Sequence, residues 1–198
     1  MHLEGESTLG IPAQKTFPGL SLLPQARRIK RLIERTGACT ILDYGSGKGQ
    51  QYEISPVRIE GEGQWSNLLD YWEVGAIRCY DPTYAPFSEL PTARYDGVIC
   101  TDVLEHCPEE DVGWILEEIF GFAGRFVFAS VACYPARKRL PNGENAHCTI
   151  RPMQWWRTII ERVAGARSEL QWEFYFISRV DDSSGQRMVE ERLANWVS

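Results

Sequence analysis

Apolar positions recur along the chain with two different periods, and their alternation predicts an α/β protein. From Ser21 to about Thr36, Leu22, Leu23, Ala26, Ile29, Leu32 and Ile33 return at spacings of three and four. Arg27, Arg28, Arg31 and Arg35 share the other side, and Gly37 supplies a helix stop. A solvated face is the plain reading of that arginine stripe. A short apolar strand follows, about Cys39 to Tyr44. Next come a helix over Gln64 to Val74, with Trp65, Leu68, Leu69 and Trp72 on one face, and a strand over Ala76 to Tyr80. The run Tyr95 to Asp102 is nearly continuous in apolar residues, as expected of a buried parallel strand.

The second half repeats the alternation. Pro108 and three acids open a helix that continues through Trp114, Ile115, Glu118 and Phe122, and Gly124 ends it. A strand over Arg125 to Ala132 follows, then a helix beginning near Pro152 with Trp155, Trp156, Ile159, Ile160 and Val163 on its apolar side. A sixth strand is expected from about Glu169 to Ile177, and a last helix over Gln186 to Trp196. A seventh strand is not evident.

Four stretches break the pattern. Residues 1–20 are polar, rich in Gly, Pro, Ser and Thr, and read as an arm or lid. Residues 51–63 carry Pro56, Gly61 and Gly63 and read as an insertion. Between Asp81 and Asp96, Pro82, Pro86 and Pro91 forbid a regular helix, so the third strand of the sheet is expected to be missing or vestigial. Its loss leaves the Ala76–Tyr80 strand near the sheet edge, with the 51–75 segment as its cover. The loop 134–149 contains Arg137, Lys138, Arg139, the turn signal Pro141-Asn142-Gly143, and His147. A long polar loop at the carboxyl end of a central strand is where an α/β protein keeps substrate contacts.

Composition narrows the class. At 198 residues the chain is the size of a single domain, here residues 1–198, with 43% hydrophobic and 24% charged residues. Six cysteines at 39, 79, 100, 107, 133 and 148 form no C-x-x-C pair, and Cys39, Cys79 and Cys100 fall in strand-like runs. Buried free thiols in a reducing cytosol explain them better than disulfides or zinc, and a cytoplasmic protein is the expectation. The amino-terminal residues do not read as a signal peptide, and no run approaches the roughly 18 apolar residues of a membrane span. A formal net charge of −6 argues against general affinity for nucleic acid.

The chemistry concentrates after the first strand, in Asp43-Tyr44-Gly45-Ser46-Gly47-Lys48-Gly49. The dinucleotide fingerprint G-x-G-x-x-G would need a glycine at Gln50, and a phosphate-binding P-loop would need G-x-x-x-x-G-K-[ST]. Neither fits. D-x-G-x-G-x-G resembles motif I of class I S-adenosylmethionine (SAM) dependent methyltransferases. The stretch Tyr95-Asp96-Gly97-Val98-Ile99-Cys100-Thr101-Asp102-Val103-Leu104-Glu105-His106 resembles the strand-four motif of the small-molecule, ubiquinone-biosynthesis type. The likeness covers about residues 38 to 165.

That resemblance implies a Rossmann-like open, mostly parallel twisted sheet with helices on both faces. It also implies SAM as cofactor, held by Asp43, Tyr44, Gly45, Ser46, Gly47 and Gly49, by Asp81 and Pro82, and by Thr101, Asp102 and Val103. A carboxylate closing the second strand, Asp81, can accept ribose hydroxyls. The implied activity is in-line transfer of the methyl group to a small-molecule acceptor, at oxygen or nitrogen rather than carbon. His147 and His106 are the base candidates, with His106 equally suited to bracing its turn. Glu105 with His106 supplies two metal-ligand types, and two ligands do not make a site, so no metal is expected. A SAM-binding regulatory module without catalysis, or an RNA methyltransferase using Arg27, Arg31 and the 137–139 cluster, is the alternative.

Overall fold

Eight strands and four α-helices alternate along the residues described by the structure, a computed structural model covering 19–140, 142–182 and 185–197. The expected arm lies almost wholly outside the described residues, as do His2 and Pro141. The strands are β1 (Thr40–Tyr44), β2 (Val57–Ile59), β3 (Gly63–Trp65), β4 (Ala76–Tyr80), β5 (Tyr95–Thr101), β6 (Ala123–Ala132), β7 (Gln171–Asp182) and β8 (Gly185–Ala194). The helices are α1 (Ala26–Thr36), α2 (Leu68–Trp72), α3 (Val112–Phe122) and α4 (Met153–Ala164). Six strands form one mostly parallel sheet in the order β4-β1-β5-β6-β7-β8, and β2 pairs with β3 in a separate hairpin. The protein is therefore α/β. No helix among the described residues is long and apolar enough to cross a membrane. The chain divides into two compact units, Met1–Ile99 and Cys100–Ser198.

In the first unit β1 pairs in parallel with β4, Asp43 opposite Cys79, and with β5, Asp43 opposite Ile99. The Asp96 carboxylate pins the start of β5 by accepting from the backbone N–H groups of Cys39 and Thr40 at 2.8 and 3.1 Å. Helix α1 buries Ala26, Ile29, Leu32 and Ile33, as its periodicity predicts, and ends at Gly37, whose left-handed φ of 65° lets its N–H reach the Ile33 carbonyl. Its first turns differ from expectation. Pro24 cannot donate within an α-helix, and residues Leu20–Gln25 wind as a 3-10 helix instead.

Two corrections concern the segment before β4. The helix expected over Gln64 to Val74 shortens to α2, because Asn67 caps it by accepting from the Asp70 N–H at 2.9 Å and residues 63–65 pair with β2. The hairpin β2–β3 is tied to the helices rather than to β4: Glu62 receives Arg27 and the Tyr71 hydroxyl, while the Trp72 indole donates to the Ala26 carbonyl. Residues 81–94 hold a 3-10 turn, Ala85–Phe87, and no strand, which leaves β4 at the sheet edge. This turn is what meets β4, through Asp81 N–H to the Phe87 carbonyl and Arg78 to Glu89.

In the second unit β6 runs parallel to β7, with Phe126, Val127, Phe128 and Ala129 fully buried. Phe120 of α3 stacks on Phe174 of β7 at 6.3 Å. Helix α3 begins at Val112, four residues after the proline expected to open it, and it ends at Phe122, so Gly124 already belongs to β6. The helix expected over Gln186 to Trp196 is instead β8, an antiparallel edge strand in register with β7 from Glu173 opposite Ala194 to Asp182 opposite Gly185. Leu193 is buried there, and Arg192 meets Glu173, a carboxylate with 0% exposure that also accepts the Tyr175 hydroxyl at 2.6 Å. All six cysteines are free, but only Cys100 is buried, and Cys39, expected to be buried, is exposed.

Candidate functional site

Two clusters of chemistry-bearing side chains stand out, one in each unit. In the first unit the apolar run of β1 ends at Asp43, and the chain then turns through Gly45, Gly47 and Gly49, all with positive φ (82°, 59° and 68°). Gly49 has a second reason to be glycine: an added Cβ would lie 2.9 Å from the Phe87 ring. The loop is strapped to the end of β4. Gly45 and Ser46 donate to the Tyr80 carbonyl at 2.8 and 3.1 Å, Gly47 donates to Asp81 Oδ2 at 2.9 Å, and Gly49 donates to the Ser46 carbonyl. The Tyr44 and Tyr80 rings meet edge to face at 5.1 Å. Thus Asp43, Tyr44, Gly45, Ser46, Gly47, Gly49 and Asp81 form one constellation, with Pro82 exposed in the turn beside it.

The loop amides are consumed internally, which matters for ligand class. A phosphate cradle works through free N–H groups, and the amides of residues 45, 46, 47 and 49 all have backbone or Asp81 partners. What the site offers is carboxylates. Asp43 is 2% exposed, and its Oδ2 accepts from Gln51 Nε2 at 3.0 Å and from the Tyr52 hydroxyl at 2.7 Å. Both bonds fall on Oδ2, so Oδ1 is the oxygen left for a ligand. Burial pushes the Asp43 carboxyl up to about 6; its two hydrogen bonds oppose that and the nearby Asp81 charge adds to it. A buried acid at a strand's carboxyl end, with no cationic partner among the described residues, marks a functional-site candidate. Asp81 is 8% exposed and is also held by its own turn, its Oδ1 accepting the Thr83 N–H at 2.9 Å and the Thr83 hydroxyl at 2.6 Å.

In the second unit β5 ends at Thr101, and Asp102 takes a left-handed φ of 60°, a conformation that Asp and Asn tolerate better than other side-chain-bearing residues. A single 3-10 turn, Leu104–His106, follows. It buries Glu105 completely; Oε1 accepts the Ala132 N–H at 2.8 Å, while Oε2 has no donor among the described residues and the carboxyl lies against that of Asp102. Burial, with the Asp102 charge second, raises the Glu105 carboxyl well above the usual range. His106 donates Nδ1–H to the Ala146 carbonyl at 2.8 Å, and its partial burial lowers its pKa.

His147 reaches the same place from the 134–149 loop. That loop is ordered by Asn145, which accepts from the N–H groups of Ala136 and His147 and donates to the Ala136 carbonyl, each at 2.9 Å. Contrary to expectation for a polar loop, His147 is buried, at 7% exposure. Its Nδ1 lies 2.6 Å from the Tyr134 carbonyl and its ring centroid 4.8 Å from that of His106. A carbonyl only accepts, so Nδ1 carries a proton, and in the neutral ring the lone pair is on Nε2. Ligand atoms of Asp102, Glu105 and His147 all lie within 4.8 Å of one another. The sequence pairing of Glu105 with His106 is therefore replaced by a three-residue cluster that includes His147. Thr101 is nearly buried and Val103 half-buried beside it.

Several of these partners carry no sequence signal. Gln51 and Tyr52 sit in what reads as an insertion, and Tyr134 acts through its backbone. Arg27, Arg28 and Arg31 of the α1 stripe line a groove of about 710 Å³ with Glu60 and Glu62. Arg27 pairs there with Glu62, and the neighbouring Lys30 pairs with Glu34 and Glu73. No family model matches the chain, and no curated protein matches it.

Proposed function

We propose that the protein is a SAM-dependent methyltransferase acting on a small-molecule acceptor, with the sheet in its Rossmann-like, doubly covered form. The observation that carries this reading is Asp43: a buried carboxyl beside a glycine turn, raised to about 6 by burial and with no cationic partner among the described residues. SAM offers an amino group of the matching charge and no phosphate, in keeping with a loop whose amides are already engaged. Asp43 Oδ1 takes that ammonium, and Asp81 takes ribose hydroxyls by sharing Oδ1, which now holds Thr83, and Oδ2, which now accepts from Gly47. Tyr44, Ser46 and Pro82 complete the cofactor contacts within this unit.

SAM supplies an electrophilic methyl group whose departure leaves a neutral thioether, so no acid is needed at the leaving group. The chain's work is positioning and exclusion of water. His147 Nε2, fixed by the Nδ1 bond to Tyr134, is the acceptor-side nitrogen, and His106 braces the same turn.

Calorimetry with SAM, S-adenosylhomocysteine and NAD tests the reading. Binding of the first two, weakened in Asp43→Asn, is expected; tight NAD binding without a response to S-adenosylhomocysteine overturns it.

A further inference from the structure

The geometry points to a divalent cation site formed by Asp102, Glu105 and His147. Three independent features of the second unit converge on it. The ligand atoms of these residues lie within 4.8 Å of one another. Ligands on an ion of the Mg²⁺ or Mn²⁺ size, at about 2.1 Å, are about 3 Å apart when adjacent and about 4.2 Å when opposite. The cluster thus needs a contraction of at most about 1.8 Å for adjacent positions, and less for opposite ones. Asp102, being exposed, is free to swing in by that much.

Glu105 is the second feature. Its carboxyl is fully buried, Oε1 is committed to the Ala132 N–H, and Oε2 has no donor among the described residues, its carboxyl lying instead against the Asp102 carboxylate. A buried carboxylate oxygen without a partner costs stability, and a cation is the partner that removes the cost. The carboxylate of Asp102 close by makes the arrangement still less favourable without one.

His147 is the third. Its Nδ1–H is spent on the Tyr134 carbonyl at 2.6 Å. Metal-ligating histidines have this arrangement, because the outer bond fixes the tautomer and aims the other nitrogen. Asn145 holds the His147 backbone N–H, so the ring's position is set from both ends.

One imidazole and two carboxylates suit a first-row divalent ion, and three protein ligands leave coordination positions open for an oxygen donor. The ion's binding stands apart from the methyl-transfer reading, since it needs neither donor nor acceptor. Its role in lowering the pKa of an acceptor hydroxyl rests on that reading.

The test uses the full chain, stripped with chelator, and Mn²⁺ alone, a hard ion that leaves the neighbouring Cys107 and Cys148 thiols aside. Loss of the free-ion electron paramagnetic resonance signal should show one Mn²⁺ bound per chain. Affinity should fall at least tenfold in Glu105→Gln, which keeps an acceptor for Ala132, and in His147→Ala, but not in the surface control Glu53→Gln. Asp102→Asn, exposed and suited to the left-handed φ, keeps the test valid should Glu105→Gln not fold, and it too should weaken binding at least tenfold. Absence of binding at millimolar Mn²⁺, or binding unchanged in folded Asp102→Asn, overturns the proposal.

Discussion

The Nδ1 of His147 lies 2.6 Å from the carbonyl oxygen of Tyr134, and this bond decides which face of the imidazole is available for chemistry. Around it the loop is built to hold one ring in one orientation. Asn145 contributes three hydrogen bonds, two of them to Ala136 and one to His147 itself.

Asn145→Ala should therefore act through His147. Outer-shell partners of metal ligands are worth roughly tenfold to a hundredfold in affinity, so Mn²⁺ binding is expected to weaken by about that factor while the melting temperature moves little. A large fall in melting temperature with unchanged Mn²⁺ affinity would make Asn145 a fold determinant only.

Asp43 sets a pH dependence of stability in the acid range. Its carboxyl is held up at about 6 against an ordinary value of 3.8, with burial the main cause. The folded state then binds its proton more tightly than the unfolded state. The stabilisation is fully present below about pH 4 and is lost as pH rises through about 6, by about 3 kcal/mol at most. Urea unfolding of wild type and Asp43→Asn at pH 4, 5, 6 and 7 measures it. The difference between the two proteins should change across this window; parallel curves would remove Asp43 as the source.

Gly49→Ala meets two obstacles, a φ of 68° and a Cβ position 2.9 Å from the Phe87 ring. A loss of about 1 to 3 kcal/mol is expected. Adding Phe87→Leu should recover the steric part and leave the backbone part. Full recovery would show that conformation contributes nothing.

Arg192 is the charge partner of fully buried Glu173. Removing one member of a buried pair costs about 3 to 5 kcal/mol. Because the Arg192 side chain keeps 29% exposure, Arg192→Leu is expected near or below the lower figure. Chemical denaturation reads this directly. Stability within a few tenths of wild type would mean that Tyr175 alone satisfies Glu173.

The sequence is most legible where burial and period agree. Strands β5 and β6 match their predicted bounds to within two residues because central strands are nearly continuous in apolar residues, and the edge strand Ala76–Tyr80 matches because Gly75 and Asp81-Pro82 bound it. Strand β8 was misread as a helix for the opposite reason. Gln186, Arg187, Glu190, Glu191 and Arg192 are exposed residues with high helix propensity, and only Leu193 is buried, so pairing with β7 overrides the local preference. At the candidate site, Asp43, Asp81 and His147 stand out by type and position. Gln51, Tyr52 and Asn145 do not, since each earns its place through a tertiary hydrogen bond that no spacing encodes.

The free thiols govern how the protein ages in air. Burial pushes Cys79, Cys107 and Cys133 up to about 12, and Cys148 upward as well. Oxidation and exchange proceed through the thiolate. At neutral pH, sites with a pKa near 12 hold roughly one thiolate in 10⁵. Cys100 is sealed in the core, whereas Cys39 and Cys148 are both exposed, so intermolecular cross-linking would begin at these two positions. Cys39→Ser together with Cys148→Ser is thus the change that should keep stored protein free of covalent dimers.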